Sequence, residues 1–382
     1  MKNYIKRLNW DEKNYRAINN LIAKHGIDSP AYDPNKRPFA VFDWDNTSII
    51  GDVEEALLYY MITNLSFKME VDEFFDLIIK NVDKNFYDDK YNNLENKRLN
   101  IDLIAYDIKK AYEFLYKRLD KFGGNQSLDE LKKSDYYKEF VTKMFYRYRV
   151  SDYDRLAKDP YCWMSFLLKN YKTQEVEALC KEAYEAMRKE KIRVENFTSP
   201  AIESKAGRVS IDYFVGIRPL PEMVDLYQTF EENGIDTYIV SASFIDVVRA
   251  FASDEDNFYK LNKKKVLGLR LERDLGGKIL PSLDKTYPIS IREGKVETID
   301  KLIKNATNYG PIMVGGDSDG DLAMLTSYDL TEISLIIHRE NYGLIDELRK
   351  KAWDGSNRFY SQGRNLLEGK FIASDKSCGY NE

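Results

Sequence analysis

The chain has 382 residues, of which 43% are hydrophobic and 32% are charged, and its formal net charge is −5. This length allows two domains or one domain with a large insertion, and the composition indicates a soluble globular protein. The acidic balance argues against nucleic acid as the main partner, and no apolar run approaches the ~20 residues that span a bilayer.

Histidine and cysteine are scarce, which limits the available chemistry. The two histidines, His25 and His338, argue against a His-based triad or a multi-histidine metal site. The three cysteines, Cys162, Cys180 and Cys378, are widely spaced and suggest neither a disulfide framework nor a zinc site. Carboxylates and hydroxyls must therefore carry any catalysis.

The N-terminal stretch MKNYIKRLNWDEKN lacks the apolar segment of a signal peptide. The sequence as given therefore favours a cytoplasmic protein, although an exported form trimmed of its signal would look the same. The first strand is predicted over residues 39–43, where the apolar run FAVF leads directly into Asp43. Asp45 follows two positions later, so in extended backbone both carboxylates point to the same side. Because like charges repel, this pair predicts a site completed by a hard cation such as Mg²⁺.

Helical periodicity dominates the region from about residue 50 to residue 215. Two apolar stripes mark two of the predicted helices: Ile104, Ile108, Ala111 and Leu115 in one, and Val176, Leu179, Ala183 and Met187 in the other. Thr173 stands where it could cap the second of these helices. This region is predicted to be a helical domain inserted after the first strand.

Strands and helices alternate in the remainder of the chain. Strands are predicted in TYIVSAS (237–243) and in PIMVGGDSDGD (311–321), with amphipathic helices in PEMVDLYQTFEENG and GKVETIDKLIKN. A small hairpin is predicted between about residues 266 and 282, and the tail after Trp353 has no clear pattern. Such alternation is typical of a doubly wound parallel α/β sheet, in which chemistry gathers at the carboxyl ends of the strands. The predicted division is a discontinuous core of residues 1–48 and 216–382 with a helical cap of residues 49–215.

The stretch DWDNT, from Asp43 to Thr47, resembles the D-x-D-x-T signature of the haloacid dehalogenase-like hydrolases. Three further features occur in the order that this superfamily has them: Ser241 at a strand end in VSAS, Lys295 at a helix start in GKVETI, and acids at a strand end in GGDSDGD. The resemblance covers about residues 35–48 and 216–345. It implies a Rossmann-like doubly wound sheet with a large helical cap and a phosphate-transferring active site.

The resemblance also implies roles in catalysis. Asp43 would attack phosphorus and form an aspartyl-phosphate, while Asp45 would protonate the leaving oxygen and then activate water. Ser241 would donate its hydroxyl to a phosphate oxygen, with Ser243 as the competing donor. Lys295 would offset the charge of the substrate phosphate.

The same resemblance implies a Mg²⁺ site. The expected ligands are Asp43, Asp317 and the backbone carbonyl of Asp45, while Thr47 would orient the loop and Asp321 would support the metal from behind its ligands.

Three acids just after the signature, Asp52, Glu54 and Glu55, favour a substrate with a cationic head group. In the phosphoserine phosphatase branch an acid at the position of Asp52 contacts the substrate amine. The run AVFDWDNTSIIGDVEEALL looks closer still to the phosphorylcholine phosphatases, in which an acid at the position of Glu55 faces the quaternary ammonium. Aromatic residues of the cap, with Trp163 in YCWMSF as one candidate, could pack against a quaternary ammonium. The competing interpretation is that the acids only begin a helix, where negative charge is favourable.

The proton donor Asp45 favours a phosphomonoesterase, because a dehalogenase needs no proton for its leaving group. The predicted partner is therefore a small phosphomonoester, with phosphocholine and phosphoserine as leading examples. A phosphotransferase stays open because an acceptor alcohol can compete with water. Hypotheses from other classes are a non-catalytic binding module and a transport or interaction protein that acts through its cap.

Overall fold

The computed structural model describes residues 2–153, 163–253, 259–340, 343–355 and 358–379. The strands, numbered in chain order, are β1 Phe39–Phe42, β2 Ile49–Ile50, β3 Arg193–Thr198, β4 Ser210–Val215, β5 Arg218–Pro219, β6 Asp236–Phe244, β7 Val266–Leu269, β8 Leu271–Arg273, β9 Ile279–Leu283, β10 Met313–Gly316, β11 Ile333–Ile337, β12 Phe359–Gln362, β13 Arg364–Asn365 and β14 Lys370–Phe371. The helices are α1 Glu12–His25, α2 Val53–Thr63, α3 Val71–Ile78, α4 Ile101–Tyr116, α5 Leu128–Leu131, α6 Asp135–Tyr153, α7 Trp163–Phe166, α8 Thr173–Met187, α9 Pro221–Glu232, α10 Ile245–Ala252, α11 Glu293–Ile299, α12 Asn305–Thr307, α13 Leu322–Thr326 and α14 Ile345–Trp353. Among the described residues, no helix has both the length and the apolar character needed to cross a bilayer.

Six parallel strands form the central sheet in the order β12-β11-β10-β1-β6-β7. Strand β1 lies in the middle, and the chain builds the sheet first on its β6 side and later on its β10 side. All four residues of β1 are buried, and alternate residues face two separate apolar layers, one containing Ala40 and Phe42 and the other Phe39 and Val41. This confirms the predicted doubly wound α/β sheet. The reversal of strand order beside β1 opens a crevice at the carboxyl ends of β1 and β10.

The chain leaves the sheet after β1 and returns before β6. The short strands β2 and β5, at the start and end of this excursion, pair with each other in antiparallel register, with Ile49 opposite Pro219. Helices α2 to α8 all lie in the intervening chain. Both predicted apolar stripes are buried along their helices, α4 and α8. The domain boundaries, with the cap over residues 49–215, stay a prediction.

Two predictions for the inserted region were wrong. Residues 193–215 do not continue the helices but form the antiparallel pair β3–β4. Thr173 does not cap α8: the residue before the helix is Lys172, and the Thr173 hydroxyl instead donates to Asp246 Oδ2 at 2.9 Å. The hydroxyl therefore ties the start of α8 to α10.

The remainder of the core departs from the sequence pattern at three places. The helix that begins at Glu293 passes into a π-helical turn over Asp300–Lys304, which shifts the phase of the apolar stripe and leaves Leu302 39% exposed. The predicted hairpin is divided: β7 joins the main sheet, while β8 and β9 pair with each other. The tail contributes the edge strand β12, which pairs in parallel with β11.

Candidate active site

Two adjacent strand ends bring Asp43 and Asp317 together. Strand β1 ends at Phe42, and the backbone amide of Asp43 still donates to the Gly315 carbonyl of β10 at 2.9 Å. Strand β10 ends one residue before Asp317. Both carboxylates are buried, with 7% of Asp43 and 2% of Asp317 exposed. The parallel pairing therefore places the first and last acidic motifs at one point.

The loop after β1 turns Asp45 into the same crevice. Asn46 adopts a left-handed backbone with φ of +58°, and the Ser48 hydroxyl donates to the Asp43 carbonyl at 2.6 Å. Asp45 accepts the backbone amide of Val53 on Oδ1 at 2.8 Å. This local turn aims the Asp45 side chain back toward β6.

Both candidate serines contact Asp45. The hydroxyl of Ser243 donates to Asp45 Oδ2 at 2.7 Å, and that of Ser241 lies 3.3 Å from the same oxygen. Burial raises the pKa of Asp45 to about 6, against the lowering effect of these hydrogen bonds and the Val53 amide. A carboxyl group with such a pKa exchanges a proton close to neutral pH, as an acid–base residue requires.

Helix α11 carries Lys295 into the centre of the acids. Its ammonium lies 2.7 Å from Asp43 Oδ1 and 2.5 Å from Asp321 Oδ1, and 2% of the residue is exposed. Burial alone would lower the pKa of Lys295, but the two carboxylates outweigh it and hold this pKa above its usual value. Lys295 is therefore charged throughout the physiological range, as a partner for phosphate must be. The next two lysines along the chain, Lys301 and Lys304, lie in the π-helical turn and form ion pairs with Glu297 and Asp300.

Asp317 and Asp321 are held in fixed orientations. Thr47 donates to Asp317 Oδ1 at 3.1 Å, and Arg339 pairs with Asp317 Oδ2 at 2.7 Å. Asp321 is fully buried, and its Oδ2 accepts the backbone amides of Asp317 at 3.0 Å and Ser318 at 3.2 Å. Its other oxygen meets Lys295, so Asp321 acts mainly as a brace for the loop and the lysine.

The donor set fits a hard divalent cation. Carboxylate oxygens of Asp43, Asp317 and Asp321 all lie within 4.8 Å of one another, and all three residues are buried. Burial first, and then the charge of Asp321, raise the pKa of Asp43 well above its usual value despite the opposing effect of Lys295. A charge arrangement that disfavours ionised Asp43 becomes favourable when a cation is added. The expected contribution of the Asp45 carbonyl stays a prediction.

The acids open into a cleft of about 560 Å³ between the strand ends and helices α2 and α6. Asp52, Glu54 and Glu55 all line it. Asp52 caps α2, with its Oδ1 accepting the amides of Glu54 at 2.8 Å and Glu55 at 2.9 Å. Asp52 therefore both caps helix α2 and lines the cleft.

The two glutamates each have a cap partner. Glu54 is buried and accepts the hydroxyl of Ser165 at 2.7 Å, and burial raises its pKa to about 7. Glu55 accepts the hydroxyl of Tyr148 at 2.5 Å. Among the acids of α2, Glu55 presents a carboxylate beside an aromatic ring that also lines the cleft.

Trp163 does not line the cleft, contrary to the expectation from its aromatic neighbourhood. Its ring packs against the guanidinium of Arg147, 3.9 Å from the ring centroid, and its indole nitrogen donates to the Leu77 carbonyl at 3.3 Å. Arg147 in turn donates to the Ile78 carbonyl. Tyr161, the first residue of the stretch YCWMSF, lies outside the described residues.

Outside the motifs identified in the sequence, five residues of the described chain line the cleft: Tyr148, Met164, Ile291, Arg292 and Arg339. Arg339 lies two residues after β11, so its place after a parallel strand was a usable signal. The other four line the cleft because of tertiary packing that the sequence does not display.

The fold and the site define a doubly wound α/β protein with a buried carboxylate–lysine centre at its strand-order reversal. The chain belongs to the same family as a conserved protein of unknown function from Anaerococcus prevotii DSM 20548: the two are 68% identical over 100% of both chains, with a TM-score of 0.97. Less similar structures include cytosolic 5′-nucleotidase IIIB bound to cytidine, with 12% identity, 91% of this chain and 84% of that chain covered, and a TM-score of 0.39. A phospho-aspartyl intermediate analogue of phosphoserine phosphatase has 10% identity, 82% of this chain and 99% of that chain covered, and a TM-score of 0.33. No family model and no curated protein matches the chain.

Proposed function

We propose that this protein is a Mg²⁺-dependent phosphomonoesterase that forms an aspartyl-phosphate on Asp43. The observation that carries the proposal is the buried centre in which the Lys295 ammonium lies 2.7 Å from Asp43 Oδ1, within a cluster of three acids. A buried nucleophilic carboxylate beside a fixed cation suits attack on a phosphate dianion, because the cation offsets the repulsion between the two anions.

In the first half-reaction, an Asp43 carboxylate oxygen attacks phosphorus and the ester P–O bond breaks. Asp45 gives its proton to the departing alkoxide oxygen, so the alcohol leaves neutral. Lys295 interacts with the equatorial oxygens of the transferring phosphoryl group, and the hydroxyl of Ser241 donates a hydrogen bond to one of them. The hydroxyl bond from Ser243 keeps Asp45 aimed at the cleft while this occurs.

Mg²⁺ would be held by Asp43, Asp317 and the Asp45 carbonyl, and it would neutralise charge on the transferring phosphoryl group. Thr47 and Arg339 keep Asp317 in place, and Asp321 keeps Lys295 in place. These contacts hold the charged groups before substrate arrives.

In the second half-reaction, Asp45 is left as a carboxylate and accepts a proton from water. The resulting hydroxide oxygen attacks phosphorus, the acyl-phosphate P–O bond breaks, and inorganic phosphate leaves with Asp43 restored. An acceptor alcohol in place of water would make the protein a phosphotransferase, so the transferred group must be followed in product analysis.

The substrate class we propose is a small phosphomonoester with a cationic head, such as phosphocholine. Supporting this, Asp52, Glu54 and Glu55 line the same cleft as Asp43 and Lys295, and the aromatic residue Tyr148 lines it as well. Phosphoserine is the alternative, because its ammonium could use the same acids.

The test of the core proposal is turnover of an aryl phosphate with and without Mg²⁺. Wild type should turn over only with the metal, and Asp43→Asn should lose at least ~10³-fold in rate. Asp319→Asn is the matched control, because Asp319 lines the same cleft outside the three-acid cluster. Near-normal turnover by a folded Asp43→Asn protein would refute the covalent mechanism.

The test of the substrate class uses Glu55→Gln with phosphocholine, phosphoserine and a neutral aryl phosphate. An ammonium–carboxylate contact in a partly closed cleft is worth roughly 1–3 kcal/mol, so kcat/KM for the cationic esters should fall about 5- to 150-fold. The kcat/KM for the aryl phosphate, whose organic group carries no charge, should not change. Equal losses on all three esters would show that Glu55 serves the fold.

A further inference from the structure

A second pocket lies where α8, α10 and the β8–β9 hairpin meet. It encloses about 340 Å³ and is lined by Arg249, Arg270 and Arg273 together with Thr173, Asp246 and Tyr287. None of these residues lines the candidate active-site cleft. Three arginines line this pocket, whereas Asp246 is the one acid among its described lining residues.

Arg273 is neutralised within the protein. Its guanidinium lies 2.5 Å from Asp246 Oδ2, which also accepts the Thr173 hydroxyl at 2.9 Å, and it donates to the Gly277 carbonyl at 3.3 Å. Asp246 is 6% exposed, so its charge is committed to Arg273. These contacts form the rigid wall of the pocket and join cap, core and hairpin.

Arg249 and Arg270 are compensated far less. Arg249 donates from Nε to the Val266 carbonyl at 3.1 Å, and it forms no ion pair with an acid in the described ranges. Arg270 reaches only 3.7 Å from Asp284, a carboxylate that already accepts the amide and hydroxyl of Thr286. Burial lowers the pKa of Arg249, Tyr287 and the charge of Asp246 oppose this lowering, and the charge of Arg270 adds to it by a smaller amount. The two guanidinium groups thus face one pocket with mutual repulsion that an anion would relieve.

We propose that this pocket binds a phosphate group, carried by inorganic phosphate or a small phosphate ester. Guanidinium forks match the oxygens of phosphate and form charge-assisted hydrogen bonds with it. The residues that line the pocket include three guanidinium groups and one carboxylate, that of Asp246. The pocket volume of about 340 Å³ exceeds the volume of a bare phosphate ion. Tyr287, whose ring lies 4.7 Å from the Arg270 guanidinium, leaves an apolar surface for a small organic body.

The probe is inorganic phosphate, added to the full chain without divalent cation and followed by hydrogen exchange resolved by peptide. Peptides covering residues 244–253 and 266–287 should gain protection on addition of phosphate. The same protection should persist in Asp43→Asn, which separates this site from the candidate active site. Protection confined to peptides around residues 43–47 and 315–321 would overturn the proposal.

The variants are Arg249→Gln and Arg270→Gln, singly and together, with Lys278→Gln as the control. Lys278 is exposed in the turn of the same hairpin but does not line the pocket. Loss of one charge-assisted contact should raise the dissociation constant for phosphate by about tenfold or more, while Lys278→Gln leaves it unchanged. All variants should keep the aryl-phosphate turnover of wild type, which also verifies their folding.

Two outcomes would contradict the proposal here. One is an unchanged phosphate affinity in the single variant Arg270→Gln. Because Arg270 is exposed, this variant should fold even if the double variant does not. The other is protection of these peptides by citrate at concentrations where phosphate has no effect, which would assign the pocket to carboxylates instead.

Discussion

Asp45→Asn should divide substrates according to their leaving groups. The change replaces a carboxylate by an amide of the same shape, and the contacts at the site tolerate it. The asparagine oxygen can still accept the Val53 amide, which lies 2.8 Å from Asp45 Oδ1. The new NH₂ group then faces the hydroxyls of Ser243 and Ser241, whose oxygens can accept as well as donate. Loss of activity would therefore report lost proton transfer and not a collapsed site.

The magnitude follows from the role that Asp45 is given. General acid catalysis contributes typically ~10²- to 10⁴-fold, or about 3–5 kcal/mol of barrier. The leaving group of an alkyl phosphate such as phosphocholine is a poor alkoxide, so its phosphorylation rate should fall by the whole of this factor. The leaving group of a nitrophenyl phosphate is a stable aryl oxide, so its phosphorylation rate should fall much less. The second step needs Asp45 as a base for both substrates, so phosphorylated enzyme should accumulate with the aryl ester.

The assay is single-turnover rapid quench, which measures release of the alcohol or phenol separately from release of phosphate. Ser243→Ala is the control, because it removes one hydrogen bond to Asp45 while leaving the carboxylate. Its losses should be small and similar for both esters. If Asp45→Asn slows alcohol release and phenol release by the same factor, then Asp45 does not protonate the leaving oxygen.

Three further perturbations test the charges of the site. Lys295→Met leaves Asp43 and Asp321 buried without their cation, so urea denaturation near neutral pH should show a loss of about 3–5 kcal/mol; a loss below about 1 kcal/mol would contradict the buried pairing. Glu54 has a folded pKa of about 7 against its usual value of 4.5, so it favours the folded state at low pH and this stability is lost as pH rises through about 7. In wild type the free energy of unfolding should therefore decline by up to about 3 kcal/mol between about pH 5 and about pH 8, and Glu54→Gln should abolish this decline. The same pH profile in both proteins would refute the raised pKa of Glu54. Mg²⁺ at about 100 times its dissociation constant should stabilise wild type by about 2.7 kcal/mol, and it should stabilise Asp317→Asn much less; equal stabilisation would exclude Asp317 as a ligand.

The central part of the site could be predicted because its signals are local. Asp43 and Asp317 each follow a short apolar run, and parallel strands collect such residues at one edge. Lys295 was marked by its place near the start of an amphipathic helix. The pairing of these elements in the sheet, with Asp43 bonded to Gly315, then made neighbours of residues that are distant in sequence.

Other features depend on tertiary context and could not be predicted in this way. Strand β3 alternates between partly buried and exposed residues, with Val194 63% exposed, so it lacks the apolar face that marks a strand. Strand β12 is short and gains its hydrogen bonds only from β11. Trp163 faces Arg147 and not the cleft because a buried guanidinium from α6 takes its ring face. In each case the deciding partner lies on another element.

The most direct test of the covalent mechanism is to trap the intermediate. Wild type would be mixed with radiolabelled aryl phosphate and Mg²⁺, quenched in acid within one turnover, and digested for mass spectrometry. The account predicts label on the peptide containing Asp43, lost on treatment with hydroxylamine and absent from Asp43→Asn. Label on a residue other than Asp43 would contradict the account. Turnover without any labelled peptide would also contradict it, if Asp45→Asn accumulates no labelled peptide under the same conditions.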